Sequence, residues 1–183
     1  MKKETVCFID MDNVLSDNDY QLFQMIGKST KEIKNKKVEE LTNEERYILF
    51  EESQLINFSE QYWRTMPLKK GAKELLNDCF KKYNKVKLIS SFQPPVGIPH
   101  TLIYVRQSKI RWFQENFDNK IDINDIIVTK NEKHTHMETD KINYLISNDL
   151  KEVRKWRKNN GIGFIYNNYG QFKYLMKYEK EHE

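Results

Sequence analysis

Thr5, Val6, Cys7, Phe8 and Ile9 form a short run with strand character, and the run stops at two carboxylates, Asp10 and Asp12, followed by Asn13. Few local patterns restrict a fold so much. At the carboxyl end of a buried strand such a pair lies where open α/β sheets gather their ligands, the bland alternative being a strand that simply ends in an acidic turn. Asn tolerates the unusual backbone angles of a tight turn. Two acids separated by one residue can also divide the labour of phosphoryl transfer, one attacking and the other handling the proton.

The rest of the chain repeats the theme. Apolar segments at 4–9, 86–89, 125–128, 143–146 and 164–166 read as strands, with helical patterns between them. One amphipathic helix over 71–83 has Ala72, Leu75, Leu76, Cys79 and Phe80 on its apolar side. A Pro- and Gly-bearing loop at 93–100 leads to a helix with Tyr104, Ile110, Trp112, Phe113 and Phe117. A further helix covers 150–159, and a last one carries Phe172, Leu175 and Met176. Strands alternating with helices predict an α/β fold, a mainly parallel sheet covered on both faces. Residues 16–67 interrupt this order with helical signals alone, among them a capping box at Thr42-Asn43-Glu44-Glu45. Some fifty residues exceed one crossover, so the stretch reads as a small helical cap inserted after the first strand. The division expected is 1–15 with 68–183 as the core and 16–67 as the cap.

Composition narrows the class. The chain has 183 residues, and 31 basic against 27 acidic side chains give a net charge of +4, too evenly mixed to imply nucleic-acid binding by itself. No apolar run reaches membrane-spanning length, so a cytoplasmic protein with no membrane partner is expected. Cys7 and Cys79 read as reduced thiols of the core.

Polar groups follow four separate strands: Asp10/Asp12, Ser90/Ser91, a lysine after the third strand, and Asn148/Asp149. In a parallel sheet these ends share one edge. In this order the motifs resemble those of the haloacid dehalogenase superfamily of phosphohydrolases. Within it, the chain is most similar to the 5'(3')-deoxyribonucleotidase family of cytosolic and mitochondrial type. The likeness rests on Ile9-Asp10-Met11-Asp12-Asn13-Val14-Leu15, on the return through Pro67, Gly71, Ala72, Glu74 and Leu75, on Ser90-Ser91-Phe92, and on Thr129-Lys130-Asn131-Glu132-Lys133.

That resemblance implies an HAD-like Rossmannoid core and a phosphomonoesterase acting on nucleoside monophosphates. Asp10 would be the nucleophile, and Asp12 the acid and then the base. Lys133 would offset charge, with Lys130 and Lys141 as alternatives. Ser90 and Ser91 would bind phosphate, unless either serves as a helix cap, and Lys109 or Arg106 could reach it as well. Mg²⁺ would be the cofactor, held by Asp10, the carbonyl of Asp12 and an oxygen of Asn148 or Asp149. The last pair departs from the family, whose usual form is two adjacent acids.

Weaker signals remain. Phe23, Tyr47, Phe50, Phe58, Tyr62 and Trp63 of the cap could stack on a base, although most would hold the cap together. His134 and His136 alternate without other clustered ligands, a poor zinc site. Lys151, Arg154, Lys155, Arg157 and Lys158 form a basic helix face. The partner expected is a small phosphomonoester, a nucleotide, with nucleic acid second; a homodimer is compatible with the same reading. Two rivals stand beside it. One is a polynucleotide 3'-phosphatase of the same superfamily; the other is a nucleotide- or nucleic-acid-binding protein on a weakened phosphatase scaffold.

Overall fold

The structure, a computed structural model, describes residues 3–21, 40, 42–45, 60–92, 101–118 and 120–180. Its strands are β1 (Thr5–Asp10), β2 (Lys85–Ser91), β3 (Ile126–Thr129), β4 (Ile142–Ser147) and β5 (Ile162–Ile165). The helices are α1 (Glu60–Arg64), α2 (Ala72–Lys82), α3 (Thr101–Phe117), α4 (Leu150–Lys158) and α5 (Tyr169–Lys180). All strand pairs are parallel, in the order β3-β2-β1-β4-β5. The acid-terminated strand is therefore the central one, which is why Val6 through Asp10 are all buried.

Alternation along β1 feeds two cores. Val6 and Phe8 point to one face and pack with Ile89, Leu145, Val153 and Trp156. Cys7 and Ile9 belong to the larger cluster on the other face, with Leu75, Leu76 and Cys79 of α2 and Trp112 and Phe113 of α3. Both cysteines are free and buried. No helix among the described residues is long and apolar enough to cross a membrane.

Several ends differ from the sequence pattern, β3 running over Ile126–Thr129 and β4 over Ile142–Ser147. The second strand runs past 86–89 to include both serines, because Ser90 and Ser91 pair with Val128 and Thr129 of β3, so neither serine caps a helix. Phe80 is 38% exposed, since the buried stripe of α2 at Ala72, Leu75, Leu76 and Cys79 ends just short of it. The last strand starts earlier, at Ile162, and Tyr166 follows it, its N–H donating to the Ser147 carbonyl at 2.9 Å.

Much of the expected cap lies outside the described residues, including Phe23, Tyr47, Phe50 and Phe58. The capping box is described: the Thr42 N–H donates to Glu45 Oε2 at 2.9 Å, and the Glu45 N–H to Thr42 Oγ1 at 3.2 Å. The chain leaves β1 and returns to α2 through neighbouring segments. Ser16 bridges Leu68 in antiparallel fashion, the Asp17 N–H donates to the Pro67 carbonyl, and the Lys69 N–H to that of Leu15, both at 2.8 Å. Tyr62 and Trp63 on α1 are buried in the larger core.

Candidate active site

Asp10 closes β1 and is only 4% exposed. Its Oδ2 accepts from Lys133 Nζ and from Ser147 Oγ, the latter at 2.6 Å. Lys133 arrives from a 3-10 turn, Lys133–His136, placed after β3, and is itself buried. Ser147 is the last residue of β4, the strand beside β1. Burial pushes the Asp10 carboxyl above its ordinary range; the Lys133 charge opposes this and that of Asp12 adds to it. With Oδ2 held by two donors, Oδ1 is the oxygen left for an incoming ligand.

After β1 the chain folds tightly over residues 11–16. The N–H groups of Leu15 and Ser16 both donate to the Met11 carbonyl at 3.0 Å, and Asn13 takes a left-handed φ of 60°. Its side chain clasps Asp19, donating from Nδ2 at 2.8 Å and accepting the Asp19 N–H at 2.9 Å. This turn swings Asp12 toward β2, where its Oδ2 accepts from Ser90 Oγ at 2.8 Å and from Lys109 Nζ at 2.5 Å. Lys109, from α3, also donates to Ser90 Oγ and lies 4.5 Å from the centre of the Trp63 ring. Asp12 Oδ1 is buried without a hydrogen-bond partner among the described residues.

The remaining positions fall less centrally. Ser91 is exposed at the end of β2, and Arg106 is exposed on α3. Asn148 and Asp149 are exposed in the turn after β4. Asp149 caps α4, its Oδ1 accepting the N–H of Lys151 at 2.7 Å and of Glu152 at 3.4 Å. Lys130 is exposed, and Lys141 pairs with Glu4 and Glu138 at 3.0 and 3.1 Å. On the basic face of α4, Lys155 is held by Glu132 and Arg157 by the Gly163 carbonyl. Burial and the neighbouring Lys87 hold His136 below the usual imidazole range.

Two residues were legible only in part. Ser147 is a hydroxyl at the end of an otherwise apolar strand adjoining β1, a signal the flanking Asn148 and Asp149 overshadow. Lys109 is at helical spacing from Val105, Trp112 and Phe113, all inward-facing, so its burial could have been read from periodicity.

Among the described residues no three Asp, Glu, His or Cys side chains cluster as a metal cage. A divalent ion at this edge would therefore rest on one or two carboxylates with carbonyl and water oxygens, the pattern Mg²⁺ accepts. The Asp10 carboxylate, the Asp12 carbonyl and the Asn148 amide oxygen are hard donors of that kind. The buried, unbonded Asp12 Oδ1 marks the same edge as short of a partner. The donor set fits Mg²⁺.

A five-stranded parallel sheet flanked by helices, with polar groups gathered at its carboxyl edge, defines an α/β protein of Rossmann-like architecture. The fold is similar to that of a hydrolase from Streptococcus pneumoniae TIGR4, with a TM-score of 0.57 and 9% identity over 97% of this chain and 100% of that one. A hydrolase from Pseudomonas syringae aligns with a TM-score of 0.46 and 14% identity, over 87% of this chain and 82% of that one. No family model and no curated protein matches the chain.

Proposed function

We propose that the chain is a Mg²⁺-dependent phosphomonoesterase of the haloacid dehalogenase type, hydrolysing nucleoside monophosphates, 5'-deoxyribonucleotides foremost. The observation that carries this reading is the meeting of strand ends at one edge: Asp10 bonded to Lys133 and Ser147, with Asp12 two residues on and bonded to Ser90. In this reading Asp10 Oδ1 attacks phosphorus while the bond to the nucleoside oxygen breaks, and Asp12 gives that oxygen its proton. The Asp12 carboxylate then takes a proton from water, whose oxygen attacks the aspartyl-phosphate and frees Asp10 and inorganic phosphate. Lys133 offsets charge building on the phosphoryl oxygens. Magnesium, held by Asp10, the Asp12 carbonyl and an oxygen of Asn148 or Asp149, would supply the positive charge that lets a phosphate dianion approach two carboxylates. With Tyr62 and Trp63 buried, base contacts are assigned to other aromatic residues of 16–67.

A polynucleotide 3'-phosphatase is favoured by a separate observation. Tyr104 is 64% exposed beside Arg106, and Lys151, Arg154 and Lys158 are exposed on α4. Phosphate release from dTMP and from a 3'-phosphorylated oligonucleotide, each with Mg²⁺, separates the two. The expected result is the higher kcat/KM on dTMP, with Asp10→Asn reducing turnover to background while the fold survives. If neither compound is hydrolysed and Asp10→Asn leaves nucleotide binding unchanged, the chain is a binding protein and the proposal fails.

A further inference from the structure

Ser147 is the last residue of β4 and is sealed from solvent. Its backbone is fixed on both flanks. Ile146 before it pairs with Ile9 of β1, Ser147 itself pairs with Ile165 of β5, and its carbonyl accepts the Tyr166 N–H at 2.9 Å. One torsion, about Cα–Cβ, separates the hydroxyl from this frame. A serine hydroxyl offers one proton and two lone pairs. The Asp149 N–H donates to the oxygen at 3.1 Å, and the hydroxyl donates its proton to Asp10 Oδ2 at 2.6 Å. With the N–H lodged on one lone pair, the proton is turned toward a group that, as a carboxylate, can only accept. Lys133 reaches the same Oδ2 differently, from a turn outside the sheet and on a four-carbon stem that leaves several torsions to settle.

We propose that Ser147 is a positioning residue: it, more than Lys133, sets the direction of the Asp10 carboxylate, pinning Oδ2 to the sheet so that Oδ1 is the oxygen presented to phosphorus. The inference rests on the phosphomonoesterase reading above. The step it serves is the first, in which the Asp10 Oδ1–P bond forms as the ester P–O bond breaks and the alkoxide or phenolate leaves. Lys133 brings charge to this place; the sheet, through Ser147, brings orientation. Two assignments compete with this one. Ser147 would be only the partner that a buried carboxylate requires, or it would be a ligand of the phosphate or of magnesium.

Single turnovers of p-nitrophenyl phosphate with Mg²⁺, enzyme in excess, separate the three, because p-nitrophenolate appears as the Asp10–P bond forms. Ser147→Ala should slow this release at saturating enzyme by about thirtyfold. The enzyme concentration giving half the maximal rate, and the magnesium requirement, should stay within about twofold of the parent. Ser147→Thr, which keeps the hydroxyl on a residue suited to a strand, should recover the rate to within about fivefold of wild type. Ser147→Cys, close in size and with a weak donor, should fall between them, and it carries the test if either of the others does not fold. Thymidine release from dTMP, read by acid quench, should show the same pattern. Release by Ser147→Ala at the wild-type rate, with only a lower urea midpoint, would make the hydroxyl a structural partner. A higher half-saturating concentration of enzyme or magnesium at an unchanged limiting rate would make it a ligand. Either result overturns the positioning role and leaves the phosphatase reading intact. A wild-type chain that acts on neither ester removes both.

Discussion

Asp10 and Lys133 are both nearly sealed from solvent, and withdrawing two charges from water costs several kcal/mol per ion before their attraction is counted. Burial wins at Asp10, whose carboxyl is held above its ordinary range despite the lysine. The folded state thus grips this proton more tightly than the unfolded chain does. Its contribution to stability is complete below the unfolded value and is lost as pH rises through the higher folded value. Lys133→Met removes the larger of the two partners that lower the Asp10 carboxyl and leaves only the Ser147 hydroxyl, so the loss on raising pH should grow. Urea denaturation should find the variant about 3–5 kcal/mol less stable at pH 8 and distinctly closer to wild type at pH 5. A gap independent of pH would mean that the two charges are not coupled. Residue identity was the least legible scale in the sequence. Lys130, Lys133 and Lys141 sit in one polar stretch, and only the 3-10 turn after β3 decides which faces inward. Ser147 escaped because its role comes from β4 lying beside β1, a fact of sheet order and not of local pattern.

At the level of elements, strand and helix succession was readable because period-two and period-3.6 patterns alternate cleanly, while the ends were not. Ser90 and Ser91 look like loop residues, yet pairing with Val128 and Thr129 draws them into β2, and that placement sets Ser90 against Asp12. The junction of β4 and α4 has a similar double character. Asp149 is one of the two residues proposed to serve the ion, but its Oδ1 is engaged by the first turn of α4. Asp149→Ala should therefore cost about 1 kcal/mol in denaturant unfolding through the lost cap. Asp149→Ser keeps a capping oxygen and should lose only the charge at the helix N-terminus, about 0.3–1 kcal/mol. With the cap preserved, Asp149→Ser should also keep the magnesium concentration that gives half the maximal rate. A marked rise in that concentration would make Asp149 a ligand as well as a cap, and Asn148 a bystander.

For the molecule as a whole, the sheet edge carries the proposed chemistry, and residues 22–59 are attached to it through two anchored stems. On the outgoing side, the Asp17 N–H donates to the Pro67 carbonyl at 2.8 Å and Gln21 Nε2 to Thr65 Oγ1 at 2.6 Å. On the returning side, the Tyr62 hydroxyl donates to Asn18 Oδ1, Trp63 covers Lys109, and the Trp112 indole N–H donates to the Met66 carbonyl at 2.7 Å. None of these bonds uses residues 22–59. Replacing that segment by about ten Gly and Ser residues shortens the loop roughly fourfold, which lowers its closure cost by about 1 kcal/mol. The shortened chain should keep its near-ultraviolet dichroism and hydrolyse p-nitrophenyl phosphate within about tenfold of the parent rate, since Asp10, Asp12, Ser90, Lys109 and Lys133 retain their supports. Its preference for dTMP over a simple alkyl phosphate should disappear, because base contacts are the part of the proposed reaction assigned to the excised stretch. Loss of the folded state would make the segment part of the core. Retained discrimination would move base recognition to the exposed Tyr104 and its neighbours on α3, and with it the balance between the mononucleotide and polynucleotide readings.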